Sequence, residues 1–178
     1  MFNRFAANPP VFISTVNPEV RIKVATNLLH DYGYFNGKVT YETLADKKDS
    51  LKAGILYTVD MKNPYFIDTV YYERFTPQTL RIMERGRRYS YISPGEQFNV
   101  VDLDDERTRI STLLRNRGYF YFRPDYMTYQ ADTTLVPGGH ISLRMIPVPG
   151  LPAAAQRPYY VGNGSVYLFG KNGESPND

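Results

Sequence analysis

The chain has no cysteine and no tryptophan, and only two histidines among its 178 residues. Without cysteine there is no disulfide framework and no thiolate zinc site. That absence suits a reducing and an oxidising compartment equally well. No apolar run approaches the roughly 20 residues a helix needs to cross a bilayer. The opening residues Met1, Phe2, Asn3, Arg4 and Phe5 lack the apolar core of a secretory signal. Net charge is also weak: the value of +3 comes with no long Lys/Arg run and no base-stacking motif, so nucleic acid is not an expected partner. What is present is ordinary for one or two globular domains, 42% hydrophobic and 22% charged, except for 16 tyrosines. Tyrosine couples a large apolar body to a polar tip and suits half-exposed strands and adhesive surfaces.

The most informative pattern is a repeat. Leu28, Leu29, Gly33, Tyr34 and Phe35 recur as Leu113, Leu114, Gly118, Tyr119 and Phe120, 85 residues later (118 − 33). A period of this length points to tandem folding units. Arrays spread surface and do not by themselves build one deep site, so binding or scaffolding is expected and enzymatic activity is not.

Around the shared phrase the two copies read alike. Upstream, Asn17 suits a helix cap, Pro18 the first helical position and Glu19 the first turn. Val20, Val24 and Leu28 then form an apolar stripe at helical spacing. In the second copy Asp102 falls at the cap position by the same shift, with Asp104 and Asp105 in the first turn and Ile110, Leu113 and Leu114 as the stripe. Gly33 and Gly118 are expected to end the two helices in the left-handed conformation. Downstream each copy turns to a strand, a polar turn (46–50 and 136–139) and a second strand. In those second strands Ile55, Tyr57, Val59 and Ile141, Leu143, Met145 alternate with more polar positions, predicting one buried and one wetter face.

Segments opening on Pro64-Tyr65 and Pro158-Tyr159 read as the first strand of a unit. Thr76, Pro77 and Gly86 bracket an additional helix in the second copy. The expected division is a unit lacking its first strand over 1–63, a complete unit over 64–148, a Pro/Ala-rich linker over 149–157, and over 158–178 the first strand of a further unit with a loose tail. On this reading the chain is a piece of a longer protein.

This order resembles the polypeptide-transport-associated (POTRA) domain. The residues carrying the resemblance are Leu113-Leu114 to Gly118-Tyr119-Phe120, Pro94-Gly95-Glu96-Gln97-Phe98 before the helix, and the strand opening at Tyr159. The tandem arrangement is similar to the periplasmic arm of BamA/TamA-type outer-membrane assembly proteins. The resemblance implies an α+β fold of small units, each β-α-α-β-β. Each is a three-stranded mixed sheet in the order 1-3-2 with two helices on one face. It implies a periplasmic scaffold, part of an outer-membrane protein, that binds unfolded outer-membrane polypeptides and docks accessory lipoproteins. The implied mechanism is β-augmentation, in which an extended client adds to an open sheet edge. The membrane barrel of that family has no counterpart here. The alternatives are a secretion or cell-division scaffold built on the same domain, and a tyrosine-rich carbohydrate-binding module.

In the order 1-3-2 the second strand is the open edge. The candidate client-binding residues are therefore Lys38, Val39, Thr40, Tyr41 and Glu42 in one unit, and Tyr126, Met127, Thr128, Tyr129 and Gln130 in the other. Tyr41, Tyr126 and Tyr129 would offer apolar contact on strands short enough to limit aggregation. Proline at Thr40 or Thr128 tests such an edge where those N–H groups point out of the sheet.

Arg74, Arg81, Arg85, Arg87 and Arg88 form the strongest charge cluster, either a solvated face or a dock for an acidic partner or lipid headgroups. The repeated Gly33-Tyr34-Phe35 and Gly118-Tyr119-Phe120 are read as structural, with the phenylalanines in the core and the tyrosines partly exposed. Asp102, Asp104, Asp105 and Glu106 lack the calcium-loop pattern, and capping with the helix dipole explains them, so no metal is expected. Gly162-Asn163-Gly164 reads as a turn. His30 and His140 have no nucleophile beside them, so neither catalytic residues nor a cofactor are expected.

Overall fold

In the computed structural model, which describes residues 15–46, 52–134 and 138–166, helix α1 (Pro18–Asp31) begins at the predicted cap. The Asn17 side chain accepts the Val20 N–H at 3.2 Å. Strands β1 (Lys38–Ala45) and β2 (Ala53–Asp60) follow as an antiparallel pair. The second unit runs β3 (Phe66–Tyr72), α2 (Pro77–Arg85), α3 (Val100–Arg115), β4 (Met127–Asp132) and β5 (His140–Pro147). Its sheet has the order β3-β5-β4, with β5 parallel to β3 and antiparallel to β4. The fold is α+β, and the second unit is β-α-α-β-β around a mixed three-stranded sheet, as expected.

The second unit holds most of the buried apolar side chains. Ile67, Met83, Ile110, Leu114, Met127, Ile141, Leu143 and Met145 are all essentially inaccessible. Helices α2 and α3 cross at Gly86, where an added Cβ would lie 2.6 Å from Leu113, so the missing side chain permits the close approach. Thr76 caps α2 through its Oγ1, as its position before Pro77 predicts. Helix α3 is capped by Asn99, whose side chain accepts the Val101 N–H at 2.9 Å. Asp102 is therefore not the cap but lies in the first turn, and Asp104 and Asp105 lie beyond that turn. The α3 helix starts three residues earlier than the repeat register implies.

Burial departs from the alternation pattern in both sheets. Strand β5 is buried on both faces, Ser142 included, because it is the central strand and the Ser142 hydroxyl pairs with that of Thr69 at 3.0 Å. Strand β2 has no buried residue, because β1 is its only partner among the described residues. The stripe Val20, Val24, Leu28 is likewise exposed.

The segment expected as a linker is packed down. Ala153–Gln156 forms a 3₁₀ turn, Ala155 is buried, and Leu151 rests against the core of the second unit. Of the expected further strand, the described residues 158–166 belong to no strand, and Tyr160, Val161 and Val166 are exposed. No described strand lies beside them to complete a ladder. The rest of that segment, the tail, and most of the polar turns near 47–50 and 136–137 lie outside the described residues.

Candidate functional site

The two edges of the β3-β5-β4 sheet differ. Along β3 the outward groups of Ile67 and the Val70 carbonyl are used by the chain itself. The Ile67 N–H donates to the Glu96 carbonyl at 2.8 Å, and the Ile67 carbonyl accepts from the Gly95 N–H at 2.7 Å. The Tyr65 carbonyl accepts from the Phe98 N–H at 2.9 Å, and the Val70 carbonyl from Arg87 Nη1 at 2.9 Å. The loop before α3 thus covers the start of this edge, and one arginine takes the Val70 carbonyl.

On β4 the parity of the ladder decides which groups face out. The Val148 N–H donates to the Tyr126 carbonyl at 3.0 Å, in register with the β4–β5 pairs. In an antiparallel ladder alternate pairs exchange hydrogen bonds, so Thr128, Gln130 and Asp132 bond to β5. Pro147, which has no N–H, accordingly stands opposite Met127 at a non-bonded position. The outward peptide groups are those of Met127, Tyr129 and Ala131. Arg107 Nη1 donates to the Met127 carbonyl at 3.3 Å, which leaves Tyr129 and Ala131 as the open stretch among the described residues. The same reasoning applies to β1. The Asp46 N–H donates to the Lys52 carbonyl at 3.0 Å, so the even-numbered residues face β2, and Val39, Tyr41, Thr43 and Ala45 present outward groups. Thr40 and Thr128 therefore point into their sheets, and proline there would break the ladder rather than probe the edge.

Lys38, Val39, Thr40, Tyr41 and Glu42 all lie in β1, which continues to Ala45. Met127, Thr128, Tyr129 and Gln130 lie in β4, but Tyr126 closes a 3₁₀ turn before it. Tyr126 packs edge-on to Phe122 at 6.0 Å, and Tyr129 donates from its hydroxyl to the Leu103 carbonyl at 3.1 Å. Both tyrosines are anchored to their own unit rather than held out for a client. Tyr41 is the one of the three that is exposed.

The arginine cluster is also divided. Arg87 is committed internally: it pairs with Glu84 at 2.8 Å, bonds to Val70 and lies 4.5 Å over the Tyr72 ring. Arg81 bonds back to the Pro77 carbonyl, and Arg88 lies over Tyr89. Arg74, Arg81, Arg85 and Arg88 are exposed. Arg74 takes a positive φ of 62°, an uncommon conformation for a side-chain-bearing residue.

Inside the second unit lies a polar centre that the sequence pattern conceals. Glu106 is completely buried. Its carboxylate accepts from Arg109 Nε and Nη2 at 2.7 and 2.6 Å, from the Tyr72 hydroxyl at 2.9 Å and from the Tyr91 N–H at 3.1 Å. Burial pushes this carboxyl up. The Arg109 hydrogen bonds, the Tyr91 N–H and the Arg109 charge outweigh burial and hold it below the usual glutamate value. Burial and the facing Glu106 charge push the Tyr72 phenol up to about 12. Arg109 Nη1 also donates to the Gly86 carbonyl at 3.0 Å, so one ion pair ties β3, the α2 end, the 91 loop and α3. Every bond made is structural. The available signal was Glu106 three residues before Arg109, masked by the neighbouring Asp104–Arg107 pair at the same spacing.

The repeated phrase has the same backbone bonding in both copies. Tyr34 N–H donates to Leu29 and Gly33 N–H to His30, at 2.8 and 3.0 Å. Tyr119 N–H donates to Leu114 and Gly118 N–H to Arg115, both at 3.1 Å. This is a Schellman helix end, with Gly33 at φ 82° and Gly118 at φ 96°. The aromatic residues reverse the expected placement in the second copy. Tyr119 is 3% exposed and Phe120 61% exposed. The tyrosine turns back over the helix end, and the phenylalanine points away from its own unit.

Phe35, half-buried, meets the next unit. Its ring lies 5.2 Å from Tyr65 and 5.2 Å from Phe98. The His30 ring lies 5.9 Å from that of Phe35, tilted at 45°. His140 lies in β5 beside Phe66, with its Nδ1 buried and unpartnered. Among the described residues no group of three His, Asp or Glu side chains is placed to hold a metal, and no helix is long and apolar enough to cross a membrane. The exposed Phe120 and Tyr121 and the half-buried Tyr159 meet edge to face, at 86° and 80°, and form no coplanar platform of the kind that stacks on sugar rings.

No protein-family profile matches the sequence. No curated protein sequence matches it. Similar solved structures include BamA POTRA3-5 of Haemophilus influenzae, at 14% identity and a TM-score of 0.46 over 76% of this chain. BamA from Haemophilus ducreyi lacking POTRA domains 1-3 is similar at 13% identity and a TM-score of 0.44 over 74% of this chain. The matched part spans about half of the first structure (51%) and less than a quarter of the second (23%).

Proposed function

We propose that the chain is a POTRA-type scaffold in the periplasm that takes up extended segments of unfolded outer-membrane polypeptides along β4. The observation that carries this reading is the asymmetry of the second sheet. Along β3 the Ile67 peptide groups and the Val70 carbonyl are taken by the chain's own backbone and Arg87, while β4 leaves the peptide groups of Tyr129 and Ala131 open. An added strand gains main-chain hydrogen bonds there without demanding a particular sequence. The anchoring of Tyr129 on Leu103 keeps the edge straight and ordered before a client arrives. The outer face bearing Arg81 and Arg85 is the surface for an acidic accessory partner, such as a lipoprotein.

The test uses an amphipathic ten-residue strand peptide and its analogue N-methylated at alternate residues. The parent peptide is expected to bind and to protect the Tyr129 and Ala131 amides from exchange. The analogue, having lost its outward donors, is expected to bind at least tenfold more weakly. Equal binding of the two, or protection confined to other strands, rules out augmentation at β4. Ala131→Pro removes one outward N–H and should lower affinity without unfolding the unit.

A further inference from the structure

The first junction between units has three parts. The Gly33 carbonyl accepts the Tyr65 N–H at 2.9 Å, where Tyr65 opens the second unit. The absence of a side chain at Gly33 is required by that contact, since a Cβ would lie 3.0 Å from the Phe98 carbonyl and 3.2 Å from that of Tyr65. Phe35 fills the angle between Tyr65 and Phe98. Gln97 Nε2 donates to the Tyr32 carbonyl at 2.8 Å and locks the pre-helix loop onto the helix end.

One of these parts recurs 85 residues on. The Gly118 carbonyl accepts the Tyr159 N–H at 2.7 Å. A Cβ at Gly118 would lie 2.9 Å from the Tyr159 carbonyl and 3.2 Å from Pro158 Cβ. Pro158-Tyr159 thus sits on the second glycine as Pro64-Tyr65 sits on the first. Tyr121 packs on Tyr159 at 5.1 Å, and Arg157 Nε donates to the Tyr159 hydroxyl at 3.0 Å, so the segment is already seated. Phe120 occupies the place of Phe35 but remains 61% exposed. Nothing among the described residues stands where Phe98 stands in the first junction.

We infer that Gly118, Phe120 and Tyr159 form a second unit junction, and that its occupant is the pre-helix loop of another unit of this same repeat. The surface is continuous with the seated Pro158-Tyr159 contact, and the first junction defines the missing part. That part is a loop carrying a large apolar side chain against Phe120 and, one residue earlier, an amide donor aimed at the Arg117 carbonyl. The inference rests on the repeat and not on client binding at β4, so the two stand or fall separately.

The absence of native cysteine makes paired-cysteine cross-linking unambiguous. In the full chain, Phe35→Cys with Phe98→Cys is expected to join through a short bismaleimide, calibrating the known junction. In a chain where residues 65–148 are joined again after Pro158, Phe120→Cys is expected to link to a cysteine replacing Phe98 of the added unit. Yield should be independent of protein concentration, and Gly118→Val should reduce it at least fivefold. The inference is overturned if position 120 forms no link while positions 35 and 98 join, or if the link is unaffected by Gly118→Val. Failure of the added unit to raise helical ellipticity above the parent chain overturns it equally, since the same residues fold behind Pro64.

Discussion

The two units end their helices with the same five residues and the same backbone bonds, yet among the described residues only one builds a core. In the second unit α3 faces β3, β5 and α2, and Leu114 is completely buried. In the first, α1 meets β1 and has no buried residue, although Leu29 is the equivalent of Leu114. The shared phrase therefore specifies how a helix stops and, at Gly33, where the second unit attaches. It does not specify how much the helix buries. That depends on the opening strand and additional helix, which the described part of the first unit lacks. The correspondence extends to single positions. Arg109 and Leu113 lie against Gly86 at the end of α2, and their equivalents Val24 and Leu28 are bare.

The strongest test of this contrast is Glu106→Ala. It leaves Arg109 buried without its partner, and is expected to destabilise the second unit by roughly 3–5 kcal/mol in denaturant titration. The first unit has no equivalent centre among the described residues. Leu114→Ala is expected to cost about 3 kcal/mol and Leu29→Ala under about 1 kcal/mol; equal costs would mean that the first unit has a core of its own. Gly33→Ala and Gly118→Ala each force a side chain into a left-handed backbone, at about 1–2 kcal/mol. The Gly33 change also presses on Phe98, and the Gly118 change on the Tyr159 carbonyl. Val24→Lys is expected to stay within about 0.5 kcal/mol, whereas a large loss would reveal a partner on the stripe.

Titration sharpens the same comparison. The folded Glu106 value is depressed, so its contribution is present above the ordinary glutamate value and lost as pH falls through the lower folded one. The Tyr72 value is raised to about 12, so its contribution is intact below a tyrosine's ordinary value of about 10 and lost as pH rises from there towards 12. Melting curves should place both losses in the second unit's transition and leave the circular-dichroism signal of the β1–β2 pair unchanged.

Local chemistry was legible in the sequence wherever it is self-contained. Asn17-Pro18, Thr76-Pro77 and the two glycines announce helix ends because caps and left-handed residues act within one turn. Asn99 was missed because the repeat register pointed to Asp102, and α3 extends further upstream than α1. The burial of β5 and the exposure of β2 were not legible, since identical alternation serves a strand with two neighbours or with one. Nor could Glu106 be singled out from the acids around it. The direction of the edge amides left one trace: Pro147, lacking an N–H, fixes the ladder parity that turns Thr128 inward.

Arg107 also acts mechanically. Its guanidinium bonds Asp104 on α3 and the Met127 carbonyl at the first outward position of β4. For the strand addition proposed above, a ladder grown from Ala131 towards Tyr129 would meet an occupied acceptor at Met127. On that proposal the arginine is an end stop, setting the length an incoming chain would zip before leaving the sheet.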